Sequence, residues 1–317
     1  MEKAPRTPPL PVFLVLLFGI LAVSTASIFI RYAQADAPSL VIAAYRLTLA
    51  SLVLTPIALP RRLGELRRLT RKEAGLALGS GLFLAIHFAT WITSLQYTSV
   101  LSSLVFVQTS PIWVALAAPL FLNESLGRHA VAGLVLAVLG GLVVSIGDVC
   151  AVRGLSISCA DGLSGVESRA GLGNFLALAG AWGSAGYLII GRRLRSRLSL
   201  VGYIYIVYSS AAVFLMLAML AFGQSPSGYA PQTYLWFLLL ALVPQLLGHS
   251  SFNWALGYLP ASFVAVTLLG EPIGSAVLAG ILLKEVPTSV TIAGAGLILA
   301  GIFLTTRAGR KHDKFAG

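Results

Sequence analysis

The sequence predicts an all-α membrane protein of ten transmembrane helices, arranged as two five-helix repeats of inverted topology. Three observations predict it. Ten apolar runs are each long enough to cross the ~30 Å hydrocarbon layer. The basic residues lie between those runs and mostly on one side. The second half repeats the first at a fixed offset of 161 residues.

Composition sets the class. Of 317 residues, 57% are hydrophobic and 10% charged, against about 25% charged in a soluble domain. The mean hydropathy is +0.88. A net charge of +11 would suit nucleic acid, but the positive residues fall in short clusters between apolar runs. That is the pattern of loops held on the cytoplasmic side of a membrane.

The runs lie near 12–32, 38–58, 74–96, 100–122, 129–147, 172–191, 200–222, 233–255, 261–283 and 287–306. Continuous hydrophobicity over about twenty residues indicates helices, because barrel strands alternate over about ten. The first run follows Lys3 and Arg6 and precedes Ala33-Gln34-Ala35, which has the form of a cleavage site. Its apolar core exceeds the ~7–15 residues of a signal peptide and is read as a retained helix.

Orientation follows from the basic residues. With the N-terminus inside, the inner segments hold Lys3, Arg6, Arg61, Arg62, Arg67, Arg68, Arg71, Lys72, Arg128, Arg192, Arg193, Arg195, Arg197, Arg307, Arg310, Lys311 and Lys314. The outer segments hold Arg31, Arg153, Arg169 and Lys284. This asymmetry places both termini in the cytoplasm of a bacterial-type inner membrane.

At the 161-residue offset, Tyr97/Tyr258, Pro111/Pro272, Ile112/Ile273, Glu124/Glu285, Gly133/Gly294 and Gly140/Gly301 coincide without a gap. Gly19/Gly180 and Arg31/Arg192 keep the same register. Five helices per repeat is an odd number, so the repeats cross the membrane in opposite senses. The first repeat covers 1–147 and the second 172–308, with an external linker at 148–171 and a cytoplasmic tail at 309–317. The linker holds both cysteines, Cys150 and Cys159. In an oxidising compartment they close a small loop, or they remain two thiols.

One stretch breaks the rules of a membrane helix: Gly270-Glu271-Pro272 lies inside the ninth run. A mid-bilayer carboxylate costs ~2.5–3.5 kcal/mol on insertion scales, and proline removes a backbone donor. Pro111 makes a matching break in the fourth run. Paired interruptions at equivalent points mark a transporter's binding site. Arg46, in the second run, falls within ~6 Å of the depth of Glu271 at 1.5 Å per residue. The two either form an ion pair, or Arg46 binds helix-end carbonyls and holds the packing.

Tyr45-Arg46-Leu47-Thr48-Leu49-Ala50 is one family-like signature. The block from Ala255-Leu256-Gly257-Tyr258 through Gly270-Glu271-Pro272 to Lys284-Glu285 is another, echoed by Ser94-Leu95-Gln96-Tyr97 through Pro111 to Asn123-Glu124. Together they resemble the EamA branch of the drug/metabolite transporter superfamily over residues 12–306. The resemblance implies a central cavity lined by helices 1, 3, 4, 6, 8 and 9, and a cargo of small metabolites, amino acids or drug-like compounds, often exported. Helix 4 carries Ser110 where helix 9 carries Glu271, so the acidic feature belongs to one repeat.

Against that frame, Glu271 binds protons and substrate in alternation, or is a structural acid. His87 and His249 relay protons or simply bond within helix interfaces; they differ by 162 positions, one off the repeat register. Gln108 and Trp182 are the preferred lining residues, with Trp91, Tyr187, Gln245 and Asn253 as further candidates for an aromatic-walled pocket with few polar anchors. Glu124 and Glu285 are expected to cap the helices that follow them. The glycines of runs 5 and 10 serve internal packing or a homodimer face. No spacing suits a metal, no phosphate-binding loop suits ATP, and too few polar groups share a depth for an enzyme. No cofactor is called for. The partners expected are a small-molecule substrate, protons and membrane lipid.

Overall fold

The structure is a computed structural model, and it describes residues 11–122, 128–153, 156–159, 169–195, 197–259, 264, 267–268 and 270–312. Lys3, Arg6, Glu124 and Lys314 lie outside the described residues. The helices are α1 Val12–Ala33, α2 Ser39–Arg67, α3 Arg71–Ser94, α4 Val100–Leu122, α5 Arg128–Val149, α6 Arg169–Arg195, α7 Leu200–Ala221, α8 Pro231–Ala255, α9 Gly270–Leu283 and α10 Ser289–His312. Between α5 and α6 stands one antiparallel hairpin, β1 Cys150–Arg153 with β2 Ser156–Cys159.

Six helices are long and apolar enough to cross a membrane: α1, α2, α3, α6, α7 and α8. Shorter apolar stretches lie at Val100–Val114, Val131–Val144, Gly270–Leu283 and Ser289–Gly301. In the six, between 39% and 50% of the most apolar window is buried inside the protein. Much of the rest is exposed yet apolar, as at Phe13, Leu52, Leu78, Phe175, Val213 and Leu235. Apolar surface on this scale requires lipid rather than water.

Several helices run past the ends of their apolar runs. α2 continues from 58 to Arg67 and α10 reaches His312. Both extensions are rich in arginine, a good helix former whose charge suits a helix C-terminus. The linker between the repeats holds the hairpin, and its register sets Cys150 opposite Cys159.

The starts of α3, α4, α7 and α10 are set by short polar caps, whereas α1, α2 and α8 begin without one. At α3, Thr70 and Glu73 form a reciprocal capping box: the Thr70 amide donates to Glu73 Oε2 at 3.0 Å and the Glu73 amide to Thr70 Oγ1 at 3.2 Å. Ser99 caps α4 and Ser199 caps α7 through the amides of Ser102 and Gly202. Glu285 departs from its expected role. Its carboxylate accepts the Val100 amide at 2.9 Å and so caps α4, whereas Thr288 caps α10 through the Thr291 amide.

Two helices are divided at polar residues. In α1 the break is at Thr25, whose hydroxyl donates to the Ala22 carbonyl. In α4 it is at Gln108-Thr109, with Pro111 in the first turn of the second piece. There the Thr109 hydroxyl donates to the Phe106 carbonyl at 2.7 Å.

The chain forms two compact units, and each draws on both halves of the sequence. One comprises 1–85 with 186–274, the other 86–185 with 275–317. In the first, α2 packs along α7. Glu65, near the end of α2, accepts from the Ser199 amide and hydroxyl at the start of α7, at 2.6 and 2.7 Å. Tyr45, near the start of α2, donates to the Pro226 carbonyl beyond the end of α7. The two helices are therefore antiparallel. α1 lies against the middle and end of α8, over a core of Leu16, Val23, Phe252, Ala255 and Val264.

In the second unit α5 packs along α10, backbone against backbone. A Cβ added at Gly140 would lie 2.7 Å from the Gly294 carbonyl oxygen, and one at Gly301 would lie 2.5 Å from that of Gly133. Rising numbers in α5 thus meet falling numbers in α10, and this pair is antiparallel too. Small residues permit such close approach where lipid supplies no hydrophobic drive between helices.

Asp36, between α1 and α2, ties that loop to the start of α8. Its Oδ2 accepts from the Thr233 hydroxyl at 2.7 Å and the Ala230 amide at 2.8 Å. The Thr233 bond, then the Ala230 bond, holds its carboxyl below the usual range. Stabilisation from such a group is complete above the ordinary carboxylate pKa and fades as pH falls through the lowered folded value. Asp36→Asn should therefore lower Tm at neutral pH, with the gap from wild type closing on acidification. A gap unchanged by pH would contradict this account.

Candidate functional site

The first unit holds a buried polar network that begins at Arg46, eight residues into α2. Arg46 has no exposed surface, and its Nε donates to Gln245 Oε1 on α8 at 2.8 Å. Glu271, in the first turn of α9 and 7% exposed, acts electrostatically on the Arg46 guanidinium, as does Tyr208 of α7. A buried guanidinium needs acceptors and an opposing charge, since the desolvation cost of an isolated ion is several kcal/mol. Gln245 and Glu271 supply the two.

From Gln245 the network runs on through α7 and α8. The Ser250 hydroxyl donates to the Gln245 carbonyl and lies against the Tyr208 hydroxyl, each at 3.5 Å, and the Tyr208 hydroxyl accepts from Asn253 Nδ2 at 3.4 Å. Asn253 also donates to the His249 carbonyl at 2.9 Å and accepts the Tyr187 hydroxyl at 2.8 Å. Tyr187 stacks on Tyr203, whose hydroxyl bonds Ser80 at 3.2 Å. Arg195 donates through Nε to the Asn253 carbonyl. Buried tyrosines place their rings in apolar packing while the hydroxyl finds a partner.

Local backbone geometry presents this set. α8 is α-helical at Pro231–Leu240, a π-helix at Ala241–His249 and α-helical again at Ser250–Ala255, with Pro244 inside the π segment. π segments inside α-helices occur often at functional sites. On α9, the Glu271 amide donates to the Leu268 carbonyl at 3.0 Å, and Pro272 follows in the first turn.

Of the residues expected from sequence, this unit gathers Arg46, Gln245, Glu271, Asn253 and Tyr187. His249 contributes its carbonyl to the same network and is half-buried. Through Nε, Arg46 meets the side-chain amide of Gln245. Sequence reading missed Tyr203, Tyr208 and Ser80. The signal was present: two tyrosines five residues apart within an apolar run.

The second unit holds the others. His87 Nδ1 bonds the Gly180 carbonyl at 2.9 Å, which requires the proton on Nδ1, and its ring stacks on Trp91 at 5.8 Å. Gln108 is buried at the break in α4. Trp182 is 42% exposed and meets Trp113 edge-on at 5.4 Å, while Trp113 Nε1 donates to the Thr109 hydroxyl at 3.1 Å. Among the described residues no group of three or more His, Cys, Asp or Glu is arranged for a metal.

The sequence matches the EamA-like transporter family twice, over residues 10–146 and again over 171–307. The chain belongs to the EamA-like transporter family. Both limits of the second match lie 161 residues beyond those of the first, the offset at which Pro111 meets Pro272. As an EamA-like protein it is a multi-pass membrane transporter. It is 23% identical over 251 residues to a protein of Bacillus subtilis (strain 168) named "Uncharacterized transporter YetK", covering 78% of this chain and 72% of that one. A crystal structure aligns with TM-score 0.62 and 19% identity over 94% of this chain and 98% of its own, and shares the fold.

Removing one partner of a buried charge pair costs ~3–5 kcal/mol, because the other charge stays buried. Arg46→Leu should lower the Tm of the purified protein, and adding Glu271→Gln in that background should recover part of the loss. A single Arg46→Leu variant as stable as wild type would show that Glu271 does not depend on this guanidinium.

Proposed function

We propose that this protein is a secondary transporter that moves small metabolites, amino acids or drug-like compounds across the inner membrane by alternating access, in the export direction. Protons drive it, with Glu271 as the group that carries them. In this reading the chain crosses the membrane ten times, as two five-helix repeats of inverted topology with both termini inside. The double family match supports the repeat. The antiparallel packing of α2 with α7 and of α5 with α10 supports the inversion, because each pair joins equivalent helices of the two repeats.

The observation that carries the functional reading is the buried Arg46–Gln245 contact with Glu271 acting on the same guanidinium. A carboxylic acid and an arginine inside membrane-spanning segments are expensive, and such groups mark substrate and proton pathways. Glu271 exchanges between Arg46, a proton and the substrate. His87, His249, Gln108, Trp182, Trp91, Tyr187 and Asn253 are proposed to line or support the route. The opposed register of Cys150 and Cys159 supports a disulfide in the external linker. The chain is proposed to work alone or as a homodimer.

The test is a flux screen in proteoliposomes across neutral amino acids, aromatic compounds and cationic drugs, with and without a pH gradient. A substrate whose accumulation depends on the gradient is expected. Glu271→Gln should abolish proton-driven accumulation and retain substrate exchange. Normal concentrative transport by that variant would exclude Glu271 as the proton carrier, and leave an uncoupled facilitator in which this acid is structural.

A further inference from the structure

The helices α3 and α8 occupy equivalent places in the two sequence repeats, yet they differ in length by one residue. α3 has 24 residues and α8 has 25. Their C-terminal turns match at the 161-residue offset. The Tyr97 amide donates to the Ser94 carbonyl and the Tyr258 amide to that of Ala255; Thr98 and Leu259 donate to the same two acceptors. Their N-terminal turns match one residue closer, at 160. The Ala74 amide donates to the Thr70 carbonyl and the Tyr234 amide to that of Ala230. Between these turns α8 therefore holds one residue more than α3.

The π segment is where α8 accommodates it. At Ala241–His249 the bonds widen, and the Ser250 amide reaches back to the Gln245 carbonyl five residues earlier. The consequence concerns which side chains share a face. In an uninterrupted α-helix, eight residues turn through ~800°, which leaves Gln245 and Asn253 ~80° out of line. The wider π turn lowers the rotation per residue and brings them toward one line. Asn253 then meets Tyr208 on α7 while Gln245 meets Arg46 on α2.

We propose that the extra residue of α8 is a register device that makes Gln245 the positioning residue for Arg46, and through Arg46 for Glu271. This rests on the reading of Arg46 and Glu271 as the transport site, and it deepens that reading. It also accounts for the asymmetry of the repeats. The first repeat has Ser110 in place of Glu271 and an α3 that is α-helical throughout, so it has no need for the inserted residue.

The test needs no substrate, so it stands apart from the flux screen. Thermal unfolding of the purified full chain is measured in a mutant cycle. Gln245→Leu should lower Tm, and Gln245→Glu, which keeps an acceptor for the guanidinium, should restore most of the loss. In the Arg46→Leu background, Gln245→Leu should produce little further change. Additive losses from the two substitutions, or no rescue by Gln245→Glu, would overturn the proposal. Deleting Leu242 shortens α8 to the length of α3. The deletion should slow hydrogen exchange at 245–250 as the segment becomes α-helical, and should make Gln245→Leu silent. A folded deletion variant in which Gln245→Leu still costs its full wild-type amount would also overturn the proposal. If the deletion variant does not fold, the cycle at Arg46 decides.

Discussion

Everything else in this protein depends on helices meeting in antiparallel pairs close enough for backbone to touch backbone. Gly140 against Gly294 and Gly133 against Gly301 are the clearest instance. Shifted by 161, the first contact becomes the second with its partners exchanged. A contact that maps onto itself in this way implies a local twofold axis, and between antiparallel helices that axis lies across them. In lipid, apolar side chains gain nothing by leaving one hydrocarbon for another. Close packing of small residues and shared polar contacts therefore hold the pairs, including the cap that Glu65 of α2 provides for α7.

On this near-symmetric frame the polar chemistry is asymmetric. Arg46 comes from the first sequence repeat, but Gln245, Glu271, Tyr208 and Asn253 all come from the second. Low dielectric raises the cost of leaving any of them unmatched. The outcome is a continuous set from Ser80 through Tyr203, Tyr187, Asn253, Tyr208, Ser250 and Gln245 to Arg46. The widened turn of α8 brings Gln245 toward Arg46 on the same side on which Asn253 reaches Tyr208.

Much of this was legible in the sequence, for identifiable reasons. The existence of the helices followed from apolar runs longer than a soluble helix needs. The repeat followed from residues whose backbone roles are hard to replace, such as Pro111/Pro272 and the glycines of α5 and α10. Arg46 and Glu271 stood out because a charge in an apolar run is costly. Other features carried no such contrast. Tyr203 and Tyr208 look like ordinary interfacial aromatics until their hydroxyls are seen buried. The reach of α2 and α10 was hidden because arginine-rich ends lower hydropathy without ending a helix. Glu285 was placed on the wrong helix, because its cap on α4 joins residues far apart in the chain. The π segment is a one-residue difference, and the ungapped 161-residue offset on either side concealed it.

Inversion of the two repeats is the central claim, and it makes equivalent loop residues face opposite sides of the membrane. Asp36 and Arg197 are such a pair, 161 residues apart, and both are exposed. Single cysteines introduced by Asp36→Cys and Arg197→Cys, in a chain lacking Cys150 and Cys159, are labelled with a membrane-impermeant maleimide in right-side-out and inverted vesicles. Position 36 should react only in right-side-out vesicles and position 197 only in inverted ones. Reaction of both from the same side would contradict the inverted repeat and the reading of the site built on it.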